Sequence, residues 1–469
     1  MDKKLMVLAA GFVLLISGCS LAPEYQRPQA LIPESWPQGN AYASAQENSA
    51  LPQAQDLQWE EFFTDAQLRT VIDMALDNNL DLQAAALYIE RDLALYGVQR
   101  AELFPALNAA GSGGTQRRSA DLIGPGEPRT VEQYSVDFGI ASWEIDFFGR
   151  IRSLKDQALE NYLATEQAQK SVRVTLIANV AKTYFTLAAD KADLELARQT
   201  LVSQQDTRDL IQKSYRIGLA TEIDLQRVLT QVEGARRNVA RGKQLVAQDR
   251  NALHLLVGTE VPSGLLPDDL KSISAPLAVQ AGLASDTLLN RPDILAEENK
   301  LKAANATIGA ARAAFFPRIS LTTAIGTAST DLSGLFASDT DTWSFAPQIS
   351  MPIFDARIWR ALEVSKADQE IMLNQYNRAI QTAFREVADA LAVQGTIDDQ
   401  VAAQEALVDA AEATYGLSNM RYQKGIGTYL SVLDAHRSLY AQQQVLTTYH
   451  LSRLASRVDL FSALGGGAS

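Results

Sequence analysis

Two long stretches of this chain repeat each other at a separation of roughly 210 residues. Asn78, Asp81 and Leu82 return as Asn290, Asp293 and Ile294. Arg100 and Leu103-Phe104-Pro105 return as Arg312 and Phe315-Phe316-Pro317. Tyr215, Gly218 and Thr221 return as Tyr422, Gly425 and Thr428, with Val180-Ala181 matched by Val387-Ala388. A unit this long is neither a solenoid repeat nor an enzyme motif. It makes the 469-residue chain two equivalent halves of one body, and duplicated elements of this kind build tubes, rings and transport paths.

The N-terminus has a different logic. Lys3 and Lys4 precede an apolar run from Leu5 to Ile16, about twelve residues and too short to span a bilayer. The run ends in Ile16-Ser17-Gly18-Cys19, which resembles the lipobox of bacterial lipoproteins. On that resemblance residues 1–18 are a signal peptide and Cys19 is acylated as the new N-terminus. A plain secretory signal with an incidental cysteine is the alternative. Cys19 is the only cysteine, so internal disulfides and cysteine metal clusters are excluded. A net charge of −13 gives no footing for nucleic acid. No later stretch offers eighteen consecutive apolar residues, so a membrane route must be the lipid or a β-barrel.

Residues 19–58, with Pro23, Pro28, Pro33, Pro37 and Pro52, read as an extended tether. From Trp59 the pattern is helical. Asp65 is placed to cap a helix that runs to Phe104-Pro105, and the first repeat extends over 59–256. Within it a strand pair is expected at about 106–146: a weak strand at Leu107–Gln116, a loop tip at Gly124-Pro125-Gly126, and the alternation Tyr134, Val136, Phe138, Ile140. An irregular equatorial segment occupies 257–285. The second repeat spans 286–464, with strands at about 318–353, and 465–469 is a tail. Pro347 inside the last strand must cost a ladder hydrogen bond.

A proline-free helical pattern follows each strand pair, over 149–214 and 357–423. At 1.5 Å per residue each helix is roughly 100 Å long, a coiled-coil span. Each turns at a glycine cluster, Gly218-Leu219-Ala220-Thr221 or Gly425-Ile426-Gly427-Thr428, and two shorter helices return. Four strands of about ten residues have the length for an outer-membrane barrel, yet alone they cannot close, and open edges are not allowed in lipid. Two copies give eight strands with a filled interior. Three give twelve and an open lumen.

Many residues carry a family resemblance in this order. Ala22-Pro23-Glu24-Tyr25 and Pro28 follow the lipidated cysteine, and Trp59 and Phe62 precede Asn79-Leu80-Asp81-Leu82. Trp143-Glu144-Ile145-Asp146-Phe147-Phe148-Gly149-Arg150 and Arg291-Pro292-Asp293 come next. Arg421-Tyr422-Gln423-Lys424-Gly425, Tyr429-Leu430-Ser431-Val432-Leu433-Asp434-Ala435 and Ala463-Leu464-Gly465-Gly466-Gly467 close the series. Together these span nearly the whole mature chain. It resembles a TolC-family outer-membrane factor, of the lipoprotein branch serving resistance-nodulation-division (RND) efflux pumps. The resemblance implies a mixed α and β fold: a homotrimeric 12-stranded outer-membrane β-barrel, four strands per chain, continued by a long periplasmic α-helical barrel. It implies a passive exit duct for drugs or other toxic compounds, without catalytic residues or cofactors. The duct is gated at its periplasmic end, held in outer-membrane lipid, and coupled to a periplasmic adaptor and an inner-membrane RND pump. A type I secretion channel for proteins and a lipid-anchored periplasmic adaptor are the rival readings.

By the same resemblance Leu430 and Asp434 narrow the tube, with Ser431 where some relatives carry a second acid and Asp224 at the equivalent position of the first repeat. Threefold symmetry would make Asp434 a ring of carboxylates. The plainer alternative for Asp434 and Asp224 is a carboxylate favouring a helix N-terminus. Gly218, Thr221, Gly425, Gly427 and Thr428 belong to the hairpin turns, the glycines supplying positive φ. Trp143 and Trp343 read either as an interfacial aromatic belt or as packing between barrel and tube. Arg150 and Arg357 mark a membrane boundary or begin a solvated helix face. His254, His436 and His450 are spaced as no metal-ligand cluster, and Glu297-Glu298 reads as solvated charge.

Overall fold

The computed structural model describes residues 21–42, 51–281 and 288–467; the signal segment 1–18 and Cys19 lie outside the described residues. The chain folds as two compact units, each drawing on both repeats.

One unit comprises Tyr88–Glu166 and Ala296–Tyr376 with the N-terminal segment through Gln29. Its sheet contains β1 (Leu107–Arg117), β2 (Thr130–Ile145), β3 (Arg318–Ser329) and β4 (Asp341–Ser350), antiparallel in the order β1-β2-β3-β4. The two hairpins therefore join through β2 and β3, and β1 and β4 are the outer strands. Pairing is regular except between Ile140 and Trp143, where β2 carries one residue more than β3. That bulge has Ser142 at φ 53, with its N–H donating to Thr322 Oγ1 at 3.2 Å. Its effect is one of phase. Before it Phe138 and Ile140 share a face with Ile325 and Thr323, and after it Trp143 and Ile145 return to that face opposite Leu321 and Ile319. Glu144 is sent to the other side, where Arg150 Nε and Nη2 each donate at 2.8 Å and Arg318 Nη2 lies 3.2 Å away. Pro347 sits in the outer strand β4, opposite Leu321.

The other unit comprises Ala30–Leu87, Gln167–Leu295 and Asn377–Ser469. Its core gathers Trp59, Phe62 and Phe63 of α1 (Trp59–Phe62) and the residue after it, with Phe461 stacked on Phe62 at 3.9 Å. Asp65 caps α2 (Ala66–Asn78) by accepting from the Leu68 N–H at 2.8 Å. The single helix expected as far as Phe104 is broken: α2 ends at Asn78 and α3 (Leu80–Ala101) begins after Asn79, which is extended. The cause is tertiary. Asn79 Nδ2 donates to Leu256 O at 2.8 Å, and its Oδ1 accepts from the Leu82 N–H at 2.9 Å, restarting the helix. Gly258 makes the approach possible, since a Cβ there would lie 2.3 Å from Asn78 O.

The long helices are α4 (Arg150–Arg216), which returns as α5 (Glu222–Val257), and α7 (Ala356–Gln423), which returns as α8 (Tyr429–Ala463). The helix before β3 is α6 (Pro292–Ala313). In the stretch read as a tether, Trp36 is buried against Phe384 at 5.1 Å, so it is packed down over part of its length.

Candidate functional site

Three arrangements concern function: the turns between the long helices, the apolar face of the sheet, and a strap along α6.

Both turns end a helix the same way. Gly218 and Gly425 take φ 76, a conformation costly for any residue with a side chain. The Leu219 N–H donates to Ser214 O at 2.8 Å and the Ile426 N–H to Arg421 O at 3.1 Å, satisfying carbonyls left over by the helix end. Gly427 is required for space, as a Cβ would meet that of Arg421 at 3.2 Å. The next helices then start on threonine caps. Thr221 Oγ1 accepts from the Asp224 N–H, while Asp224 Oδ2 accepts from the Thr221 N–H at 3.1 Å and its hydroxyl at 2.7 Å. Thr428 accepts from the Ser431 N–H at 3.4 Å and shares a hydroxyl contact of 3.0 Å with Ser431. The Asp224 carboxylate is thus occupied in capping its own helix.

Beneath the turns Ile211, Val228, Tyr429, Val432 and Leu433 form a buried cluster, against which Tyr415 and Tyr422 pack. Burying these residues turns Leu430, Ser431 and Asp434 outward on one exposed stripe of α8. Burial raises the Tyr422 phenol pKa, and the Asp224 charge raises it further. Deeper in the same layer Gln204 Nε2 and His436 Nδ1 lie 3.1 Å apart, and Tyr415 meets the imidazole edge-on. Burial lowers the His436 pKa, and the ring borders a cavity of about 200 Å³ with Arg237, Arg437 and Tyr440. Further along α4, burial raises the Asp193 carboxyl to about 6 against the opposing hydrogen bond from Thr447, with the Asp190 charge adding to the rise.

The register aligns the apolar residues of all four strands. Ala109, Phe138, Ile325 and Trp343 form one row, and Leu107, Ile140, Thr323 and Phe345 the next. The opposite face carries small and polar rows such as Asn108, Gly139, Ala324 and Ser344. Trp343 is 77% exposed, and Phe138, Ile325, Phe345 and Ile349 are also exposed, an apolar surface of the kind that marks an interaction with lipid or protein. Trp143 is half-buried on the same face. Arg150 is held by Glu144, and Arg357 by Asp355 Oδ1 and Oδ2 at 2.9 and 2.7 Å.

The strap was not anticipated. Residues 21–27 run antiparallel to α6 and engage a stripe of its residues, Glu298, Lys302, Asn305, Gly309 and Arg312. Arg312 Nη1 donates to Leu21 O at 3.0 Å and Asn305 Nδ2 to Pro23 O at 2.8 Å. A Cβ on Gly309 would meet Ala22 N at 2.8 Å. Glu298, read from the sequence as solvated, is 2% exposed. It accepts from Arg27 Nε at 3.1 Å and Nη2 at 2.6 Å and from the Tyr25 hydroxyl at 3.2 Å, with Lys302 Nζ at 3.3 Å. Burial alone would raise its pKa, but Arg27 and Lys302 outweigh burial and hold the carboxyl below its usual range. The signal was present as polar residues stepping along one helix face, but nothing local separates such a stripe from a solvated one.

The model of the family described as outer membrane efflux protein matches residues 71–259 and 283–466, one span for each repeat. The chain belongs to this family. It is an outer-membrane efflux channel and not an enzyme. It is 47% identical over 462 residues to the toluene efflux pump outer membrane protein TtgI of Pseudomonas putida, covering 97% of each chain. The crystal structure of a membrane protein from Pseudomonas aeruginosa superimposes with a TM-score of 0.87 at 40% identity, over 96% of this chain and 98% of that one. The open state of the Neisseria gonorrhoeae MtrE outer membrane channel gives 0.84 at 35% identity, over 96% and 99%. The four antiparallel strands, long helices and duplicated plan are thus the TolC-like fold.

Proposed function

We propose that three copies of this chain enclose a passive duct, anchored in the outer membrane through acylated Cys19 and narrowed at its periplasmic end. There it meets a periplasmic adaptor and an inner-membrane RND pump, which supplies the energy. The observation that carries this reading is a four-stranded sheet whose two outer strands have no further strand partner among the described residues, with an apolar face open to its surroundings. Unpaired main-chain groups at such edges cannot remain in hydrocarbon. Three copies supply twelve strands and a lumen, where two would give a filled barrel. The strands, of 11, 16, 12 and 10 residues, suit a tilted crossing.

The strap supports the lipid anchor. Leu21 is held at the end of α6 that leads into β3, and Cys19 precedes it by two residues. The throat is assigned to Leu430, Ser431 and Asp434, whose shared stripe would bring three Asp434 carboxylates onto a threefold axis and favour cations. Asp224 serves that throat as a cap whose charge reaches Tyr422 and Tyr429. Trp143 and Trp343 form part of the lipid-facing band. The names of the relatives point to toluene and other small apolar molecules as the cargo class.

The test is the oligomer mass of the detergent-purified, acylated protein together with its conductance in planar bilayers. A trimer that conducts is expected. Single subunits that leave liposomes impermeable would overturn the reading.

A further inference from the structure

Two arginines in the layer beneath the turns have no acid to pair with, although the chain carries 42 basic against 55 acidic side chains. Arg236 is ordinary in this respect, with Glu233 Oε1 at 2.9 Å. Its neighbour Arg237 makes no ion pair among the described residues and reaches only Asn238 Oδ1, at 3.3 Å. Arg437 also makes no ion pair among the described residues, although the exposed Asp434 stands three residues before it on α8. Both arginines line one cavity of about 200 Å³ between α4, α5 and α8, together with Gln204, Gly234, His436 and Tyr440. All of these residues belong to one compact unit.

The walls of this cavity hold polar groups with capacity to spare. Gln204 is 5% exposed, and its Oε1 is buried with no hydrogen-bond partner while Nε2 lies 3.1 Å from His436 Nδ1. Turned over, the same amide accepts from the Nδ1–H tautomer and leaves its NH2 as the free group. In either orientation one end of a buried amide is unsatisfied, which costs stability unless something in the cavity completes it. Tyr440 is hydrogen-bonded to Asn238, and burial raises its pKa, so the phenol keeps its proton and is a donor. Gly234 is the third sign. It lies inside α5, where glycine weakens a helix relative to alanine. Neither a positive φ nor a clash calls for it, since a Cβ there would meet no heavy atom within 4 Å. What the missing side chain preserves is open volume.

We propose that this cavity binds a phosphate-sized oxyanion, held by the Arg237 and Arg437 guanidiniums and by the NH2 of Gln204. Two guanidiniums match the double charge of such an anion and suit its oxygens geometrically. The volume equals that of about six or seven waters in the liquid, room for one oxyanion and part of its hydration. With the anion in place Gln204 takes the turned orientation, His436 Nδ1–H donates to Gln204 Oε1, and neither end of the amide is left over. The ligand joins α4, α5 and α8 through one charge centre. The site lies within a single chain and does not depend on how copies assemble.

Calorimetric titration of sodium phosphate into the full acylated chain, in uncharged detergent at constant ionic strength, reads the affinity. Saturable binding at one site per chain is expected, with slower amide exchange over residues 231–238 and 436–440. Arg237→Gln combined with Arg437→Gln should weaken it by about tenfold or more, the worth of a charged hydrogen bond. Gly234→Leu keeps both arginines but fills the space, and should weaken binding as much even if the arginine variant folds poorly. No saturable binding to the parent would mean that water alone fills the cavity, and would overturn the site. Affinity within twofold of the parent in either variant, or exchange protection confined to other segments, would place the anion elsewhere and overturn it equally.

Discussion

The strap makes a sharp energetic prediction through Arg27→Met. In the parent, the Glu298 carboxylate receives two hydrogen bonds from Arg27, one from Tyr25 and a contact from Lys302. Its side chain is 3% exposed, whereas that of Arg27 is 46% exposed. Removing one partner of a fully buried ion pair costs about 3–5 kcal/mol, and a charged hydrogen bond contributes about 1.5–3. Solvent on the Arg27 side screens the pair and argues for about 2 kcal/mol. If that loss falls on docking of the strap alone, the open population rises about 30-fold. Hydrogen exchange read by mass spectrometry should show amides of residues 21–27 exchanging about 30-fold faster, with the helices unchanged. Adding Glu298→Leu should recover much of the protection, because the orphaned carboxylate is then gone. Exchange within twofold of the parent in Arg27→Met would refute the assignment of Glu298 as the strap's main hold.

Asp434→Ala should raise single-channel conductance in planar bilayers and weaken cation preference; no change in either would remove Asp434 from the throat. Gly258→Ala should destabilise by about 2–4 kcal/mol, combining the cost of φ 78 with a Cβ 2.3 Å from Asn78 O, read as a lower denaturation midpoint. For Asp193, a folded pKa of about 6 lies above the usual carboxyl value. The folded state therefore holds the proton longer, and this group's contribution to stability is full below the unfolded pKa and lost as pH rises through about 6. Asp193→Asn should accordingly raise the melting temperature at pH 7.5 more than at pH 4; an equal shift at both would show that the carboxyl is not desolvated.

The elements that sequence made legible are those encoded by period and punctuation. The long helices follow from proline-free runs, the turns from Gly218 and Gly425, and the β2 strand from the alternation Tyr134 to Ile140. Asp65 is a cap because a lone carboxylate before an apolar helical face has that local use. What stayed hidden depends on distant partners. The break at Asn79 needs Leu256 O and the bare Gly258, both far along the chain. Glu298 looks like any exposed acid until Arg27 is brought to it from the N-terminal segment. The stripe proposed as the throat lies between these cases: resemblance singled out Leu430 and Asp434, and only burial of Tyr429, Val432 and Leu433 explains why they face outward.

The bulge at Ser142 carries a genetic consequence. Losing that one codon would only straighten the strand, since one residue would then oppose Thr322 and the segment below would keep its facing. Gaining a codon beside it would instead overturn that segment, carrying the Trp143 indole to the opposite side and parting the Glu144 carboxylate from both its arginines.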